Sequence, residues 1–388
     1  MELDALFYSH FSAKPVVQAC APGRVNLLGE HVDYNGGPVL PAAIDRAVNL
    51  VAAAQTEPIA RLFAQDLGKA TAFRLDQLEK KVDLDGQPLP KWAHYPAGVA
   101  WALQAAGLPT PGLEAVYSSD IPIGSGLSSS AAVEMVFAVT WEVLGGWQID
   151  RMQMARLCQK AENGYVGVNC GLMDQFASAH GVAEHALYFD TRSLYWEAVP
   201  LMPAVALVIA DSGVRHSLST SAYNERRAAC EQAVKLLQQY LPELRSLRDI
   251  SPVEFAAYGE SLPPEIRKRA EHVVKEIARV ESAVAALKTG KKQSFGALMY
   301  SGHASLRDLY EVSTAELDTL VAIAHDLPGC IGARLTGAGF GGCTINLVEE
   351  SQAPDFIQSL QQAYHEKTKR KAQVYLCKAS NGAEATRI

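Results

Sequence analysis

The chain has no cysteine pair at CxxC spacing, no long basic run and no GKS or GKT after a glycine loop. It also has no apolar stretch of the about 20 residues that a membrane helix needs. Each absence excludes something. Its seven cysteines, at 20, 158, 170, 230, 330, 343 and 377, are odd in number and scattered. That excludes a disulfide framework or a CxxC zinc site, and they read as reduced thiols packed as small hydrophobes. A formal charge of -7, with the short patch KTGKK (288–292) as the densest basic segment, argues against a nucleic-acid partner. The start, MELDALFYSHF, is acidic and lacks a basic segment leading into an apolar core, so the expectation is cytoplasmic, with no membrane contact. What is present, 48% hydrophobic and 20% charged residues, suits a chain that folds throughout. At 388 residues it exceeds one ordinary core, which predicts two domains and a cleft between them.

Periodicity predicts strands over 16–21, 47–55 and 59–66, and a helix carrying Trp92, Tyr95, Val99 and Leu103 that Gly107 ends. A strand over 113–118 leads through a glycine loop (121–135) into an apolar helix reaching Leu144. Asp150 and Gln153 form a D-x-x-Q capping box for a helix to about Glu162, after which glycines at 164, 167 and 171 break the pattern. From 204 the pattern restarts: strand 205–211, a helix from about Ser219 to Tyr240, further helices to about 325, a strand, a glycine loop, strand 343–348, helix 354–369 and strand 373–378. Without its helical insert this is the β-α-β-β-α-β order of a ferredoxin-like domain. The domains are therefore 1–203 and 204–388, divided near Met202-Pro203.

Four segments concentrate polar or glycine-rich chemistry. GRVNLLGEHVDYNGG (23–37) crowds an arginine, a glutamate, a histidine, an aspartate and two asparagines into one apolar-flanked turn. In IPIGSGLSSSAAVEM (121–135), Gly124 and Gly126 permit close backbone approach and Ser128, Ser129 and Ser130 fall where a helix begins. That suits a phosphate, while an ordinary serine cap on a tight turn remains the alternative. TGKKQS (289–294) is no Walker A loop, since it lacks the upstream glycine spacing and a preceding strand. RLTGAGFGGC (334–343) leads into a strand, so it is no dinucleotide fingerprint; it is either a hairpin or a backbone surface packing on the phosphate site. In AENGYVGVNCGLMDQFASA (161–179), Glu162 shares an apolar helical face with Ala155 and Cys158 and needs a partner, either magnesium or a salt bridge. Asp174, among Leu172, Met173 and Phe176, is either paired or catalytic.

APGRVNLLGEHVDYNGG, PIGSGLSSSAAVE and RLTGAGFGGC, in this order, resemble the three signature motifs of the GHMP small-molecule kinases, and the first is similar to the galactokinase signature. SAYNERRAAC (221–230), SLRDLYEVSTAELD (305–318) and VYLCKAS (374–380) extend the resemblance over nearly the whole chain. It implies an α+β fold of two domains, the first ribosomal-protein-S5-like and the second ferredoxin-like. It implies transfer of the γ-phosphoryl group of ATP to the 1-hydroxyl of galactose, with Mg2+ as cofactor. Residue by residue it implies that Glu30, His31, Asp33 and Tyr223 bind galactose, and that Asp174 and Arg24 are catalytic. The ATP phosphates would lie on Gly124, Ser125, Gly126, Leu127, Ser128, Ser129 and Ser130, and Mg2+ on Ser130 and Glu162. The chain is expected to act as a monomer. It departs from the family pattern at Ser301, Gly302 and Leu309, where relatives tend to carry a glutamate, a serine and a second acidic residue. Two rival readings are a related kinase for another substrate, such as N-acetylgalactosamine, arabinose or mevalonate, and a non-catalytic sugar sensor. GEHVDYNGG weighs against the first, and the intact serines and Asp174 against the second.

Overall fold

Small and β-branched side chains let strands lie close and bury both faces, and this builds the first sheet. In a computed structural model describing residues 3–122, 124–215 and 219–388, it has six strands. Their order is Glu384–Arg387, Val17–Asn26, Pro41–Gln55, Gly112–Ser119, Ile59–Ala64 and Lys69–Arg74. All neighbours are antiparallel except Gly112–Ser119 and Ile59–Ala64, which run parallel. The apolar helix Ser129–Gly145 and the short helix Met173–His180 pack on Val17–Asn26. His94–Ala105 and Arg151–Ala161 pack behind them, around buried Phe137, Trp141 and Phe176.

The second sheet has the order Cys330–Leu335, Gly341–Glu349, Val205–Arg215 and Gln373–Cys377, antiparallel throughout. Lys292–Ser305 and Ala315–Asp326 cover it, and Ala353–Thr368 packs beside them. A third, small sheet joins Pro38–Val39, His185–Asp190 and Trp196–Pro200. The 25-residue helix Pro264–Lys288 touches this small sheet and the helices of the second unit, so it bridges the two halves.

The structure departs from the sequence expectations in several places. The strand expected to end at 21 continues through Asn26 with a bulge between Pro22 and Arg24, so Arg24 and Asn26 stand on a strand and only the remainder of the polar stretch is loop. Asp150 caps Arg151–Ala161 through the amides of Met152 and Gln153, without a reciprocal bond from Gln153. The segment expected to be broken by glycines holds a π-helical turn, Glu162–Val166, and then the helix Met173–His180. The long helix ends at Leu237 rather than Tyr240. The last strand, Glu384–Arg387, returns to the edge of the first sheet. Ile123, inside the second glycine motif, lies outside the described residues, as do 216–218 ahead of the helix Ser219–Leu237. Among the described residues no helix is long and apolar enough to cross a membrane.

Candidate active site

The glycine loop after Gly112–Ser119 reaches its helix through three residues with positive φ: Gly124 (68°), Gly126 (81°) and Ser128 (59°). Two are glycines that adopt this region freely; Ser128 does so at a cost. Its hydroxyl does not cap the helix but donates to Asp174 Oδ2 at 2.6 Å, which helps hold the strained residue in place. The loop thereby aims the free amides of Ser129–Gly145 at a common space. Ser125 donates its hydroxyl at 2.7 Å and its amide at 3.3 Å to the Pro122 carbonyl, and Leu127 is buried with its carbonyl accepting the Arg24 amide at 3.1 Å, so these two, expected among the phosphate contacts, are engaged within the protein. Gly124, Gly126, Ser128, Ser129 and Ser130 line a cavity of about 820 Å³. Trp92, Tyr95 and Tyr117 form its aromatic end, and the indole N–H of Trp92 is buried there without a protein acceptor.

Arg24 stands where the first strand meets this loop. Its Nε donates to Asp174 Oδ1 at 2.8 Å, Nη2 lies 2.7 Å from the same oxygen, and Nη1 donates to the Gly126 carbonyl at 2.6 Å. Arg24 is buried and holds Oδ1 while Ser128 holds Oδ2, yet the Asp174 side chain keeps 27% exposure, so the carboxylate is fixed in place and still accessible. A second cavity, of about 220 Å³, lies beyond the pair, lined by Glu30, His31, Asp33, Glu162, Gly171 and Tyr223 among others. Arg24, Asp174 and Ala338 line both cavities.

The charges of the smaller cavity are set mainly by burial. Asp33 is raised to about 6, by desolvation and then by the negative charge of Asp174. Glu30 is raised to about 7 by desolvation, against the pull of Arg334. His31 is lowered to about 3 by burial and by His272, so its imidazole is neutral. Its Nε2 faces the Ala338 carbonyl at 3.0 Å and must donate, which leaves Nδ1 to accept from the Tyr34 hydroxyl at 2.9 Å. Tyr34 then accepts from Tyr310 at 2.7 Å, and Tyr310 from Cys230 at 3.3 Å. Both ring nitrogens of His31 are thus engaged inside the protein. Its ring and that of Tyr34 also pack against Tyr223, with centroids 5.4 and 5.5 Å away.

Glu162 is buried and its ionisation is disfavoured, mainly by desolvation. Among the described residues no cation pairs with it: Gln175 Nε2 donates to its Oε2 at 2.6 Å, Cys170 Sγ lies 3.2 Å from the same oxygen, and the Ser130 hydroxyl favours the ionised form. The π-helical turn that begins at Glu162 is a local register change of the kind that redirects a side chain at a functional site. Sequence reasoning passed over Glu134, whose fully buried carboxylate also accepts from Gln175 at 2.9 Å and whose ionisation is strongly disfavoured by burial. The signal used for Glu162, a carboxylate on an apolar helix, was present there too. Cys170, expected to be a small buried hydrophobe, is instead a polar contact in the cavity wall.

The third motif is a hairpin that also packs on the second motif. Cys330–Leu335 and Gly341–Glu349 form a hairpin, and the loop between them packs on the glycine loop of the second motif: a Cβ on Gly337 would lie 2.7 Å from the Gly126 carbonyl. Thr336 Oγ1 exchanges hydrogen bonds with the backbone of Asn26, accepting its amide at 2.8 Å and donating to its carbonyl at 3.1 Å. All three motifs therefore meet at one place.

Residues 5–54 match the galactokinase galactose-binding signature, 94–182 the GHMP kinases N terminal domain and 283–366 the GHMP kinases C terminal domain. A Methanococcus jannaschii mevalonate kinase structure, 20% identical, superposes with a TM-score of 0.68 over 95% of this chain and 99% of that one, a likeness of fold. The chain has the two-domain GHMP kinase fold of mixed helices and sheets. Within that class, a galactokinase of Roseiflexus sp. (strain RS-1) is 48% identical over 98% of this chain and 96% of its own, and that of Homo sapiens 41% over 99% and 95%. The crystal structure of Lactococcus lactis galactokinase complexed with galactose is 36% identical, with a TM-score of 0.93 over 99% of this chain and 98% of that one. The chain belongs to the galactokinase family.

Proposed function

We propose that galactose occupies the smaller cavity and ATP the larger, and that the phosphoryl group passes between them at the Arg24–Asp174 pair. As a galactokinase the protein is an ATP-dependent sugar kinase, giving galactose 1-phosphate and ADP in galactose catabolism, the Leloir pathway. The observation that carries the arrangement is that this one ion pair lines both cavities. Glu30 Oε1, buried without a protein donor, and the Asp33 carboxylate serve as hydroxyl acceptors, because a carboxylate oxygen accepts more than one hydrogen bond. Tyr223 closes the wall, and His31, with both nitrogens engaged, supplies a ring surface and holds the third motif through Ala338. Asp174 orients the 1-hydroxyl and takes its proton as the phosphoryl group leaves ATP. Arg24 neutralises charge accumulating on the transferred group.

The amides of Gly124, Gly126 and Ser128 to Ser130 hold the phosphates, and the base lies against Trp92, Tyr95 and Tyr117. Ser130 and Glu162 suit magnesium. Two oxygen donors beside a phosphate site match a cation that takes one or two protein ligands and completes its shell with phosphates and water. Among the described residues no cluster of three His, Cys, Asp or Glu side chains competes for it. When bound, magnesium offsets phosphate charge; Gln175 and Cys170 hold Glu162 in place for it. The N-terminal half is S5-like and the second ferredoxin-like, with the division near 203. The protein works as a monomer in the cytoplasm. A coupled ADP-release assay across galactose, glucose, N-acetylgalactosamine, arabinose and mevalonate tests the assignment. Faster turnover of any other sugar or of mevalonate than of galactose would overturn it.

A further inference from the structure

The third motif contributes a side chain as well as a backbone. Arg334, in the strand Cys330–Leu335, is fully buried, and a guanidinium stays charged there, so it must be compensated internally. Its Nη2 donates to Glu30 Oε2, its Nη1 to Glu276 Oε1 at 2.9 Å and its Nε to the Leu335 carbonyl at 3.3 Å. Glu276 has donors on both oxygens: Oε1 also accepts the Gly29 amide at 2.9 Å, and Oε2 accepts from Arg279. Glu30 differs. One oxygen rests on Arg334, while Oε1 is buried with no donor among the described residues, in a residue that lines the smaller cavity.

The fork also depends on a side chain that is missing. Gly302, in the helix Lys292–Ser305, lies so close that a Cβ on it would sit 2.6 Å from Arg334 Nη1. Arg334 cannot swing away from such a Cβ without straining its bonds to Glu30 and Glu276.

We propose that Arg334 is a positioning residue for sugar recognition: seated against Gly302, it holds Glu30 by Oε2 and so presents Oε1 as an acceptor to a galactose hydroxyl. This rests on the reading of the smaller cavity as the sugar site. Arg334 also opposes the desolvation and the Glu276 charge that raise Glu30, so it favours the ionised, accepting form. The effect is confined to galactose, because Arg334 does not line the nucleotide cavity.

The test measures galactose affinity by calorimetry without nucleotide, KM for ATP at saturating galactose, and thermal unfolding. The variants are Glu30→Gln, Arg334→Met, Gly302→Ala and each of the last two combined with Glu30→Gln. Glu30→Gln and Arg334→Met should each weaken galactose by about 10- to 100-fold, as for a charge-assisted bond, and Gly302→Ala by several-fold. KM for ATP should stay within about twofold. In the Glu30→Gln background the other two changes should add little, because they act through the removed carboxylate. If Arg334→Met does not fold, the Gly302→Ala and Glu30→Gln cycle decides alone. Galactose affinity that falls in Glu30→Gln but not in Gly302→Ala or a folded Arg334→Met overturns the proposal, as does full additivity. Unchanged affinity in Glu30→Gln instead overturns Glu30 as a sugar acceptor, and with it the underlying reading of that residue.

Discussion

Asp174→Asn separates catalysis from architecture, because the carboxylate has both duties. Oδ1 receives the Arg24 guanidinium at 2.7 to 2.8 Å and Oδ2 the Ser128 hydroxyl at 2.6 Å. Asparagine keeps a carbonyl oxygen for Arg24, and Ser128 can rotate its hydroxyl to accept from the new amide, so both contacts persist in neutral form. The loss is a charge from an ion pair with one buried and one partly exposed partner, which costs about 1 to 3 kcal/mol of stability. Against a folding stability on the order of 5 to 15 kcal/mol, that leaves nearly every molecule folded. Unfolding therefore does not explain a large rate loss. If Asp174 accepts the proton in the transition state, phosphoryl transfer should fall by roughly 10² to 10⁴, or about 3 to 5 kcal/mol of barrier. The assay is single-turnover transfer with calorimetric binding of galactose and Mg-ATP and a melting curve on the same samples. A variant that is folded, binds both substrates and turns over within about threefold of the parent refutes the base assignment and leaves positioning to carry the rate.

Four further outcomes are expected. Glu162→Gln and Ser130→Ala should raise the magnesium concentration needed for half-maximal turnover by about 10-fold or more while galactose affinity without nucleotide stays unchanged; coincident magnesium titrations would reject this metal site. Asp33 is raised from 3.8 to about 6, so it takes up a proton as pH falls through 6 and loses its charge-assisted acceptance. Galactose affinity should weaken below that pH, and Asp33→Asn should remove this component; an identical pH profile in the variant contradicts it. The same shift means that ionising Asp33 costs stability as pH rises from 3.8 through about 6, so a folded Asp33→Asn variant should gain relative stability over that window. A Cβ on Gly171 would lie 1.7 Å from Asp33 Oδ2, so Gly171→Ala should displace the carboxylate and mimic its loss in galactose binding. Parent-like affinity in that variant would show that Asp33 is not held against Gly171 in solution.

Local signals carried much of the layout. The glycine loop before Ser129–Gly145 was readable because strand, glycines and serines come in the chain's own order, and the succession along the chain of the second sheet's strands came from hydrophobic runs restarting after 204. Glu162 and Asp174 were readable as carboxylates in apolar company. What escaped the sequence depends on long-range closure. Arg334 reads as the start of a glycine loop, yet its partners Glu30 and Glu276 lie 304 and 58 residues away. Met173–His180 was hidden because the glycines at 167 and 171 mark a break and carry no helix signal of their own, and the helix forms by packing Phe176 and Ala177 into the core. Gly302 carries no signal of its own in the sequence; its meaning comes from Arg334, whose Nη1 a Cβ there would meet at 2.6 Å.

The crowding of polar groups in the first motif arises from two different demands on one loop. Some of its groups are closed within the protein: both nitrogens of His31 have partners, the Asn35 amide donates to the His31 carbonyl at 3.0 Å, and the Tyr34 hydroxyl joins His31 to Tyr310. Glu30 Oε1, in contrast, has no donor among the described residues, and the Asp33 carboxylate stands with it in the wall of the smaller cavity. A closed group contributes chiefly to stability, since removing it leaves a buried partner unsatisfied in the free protein. An open acceptor contributes to affinity, because its desolvation has already been imposed by the fold and is offset only when a hydroxyl arrives. Removing an open acceptor should therefore weaken sugar binding with little loss of stability, whereas removing a closed one should lower the melting temperature first. The crowded loop is neither a solvated turn nor a uniform ligand set: its closed bonds fix where its open ones point, and only the open ones are left to distinguish one hydroxyl pattern from another.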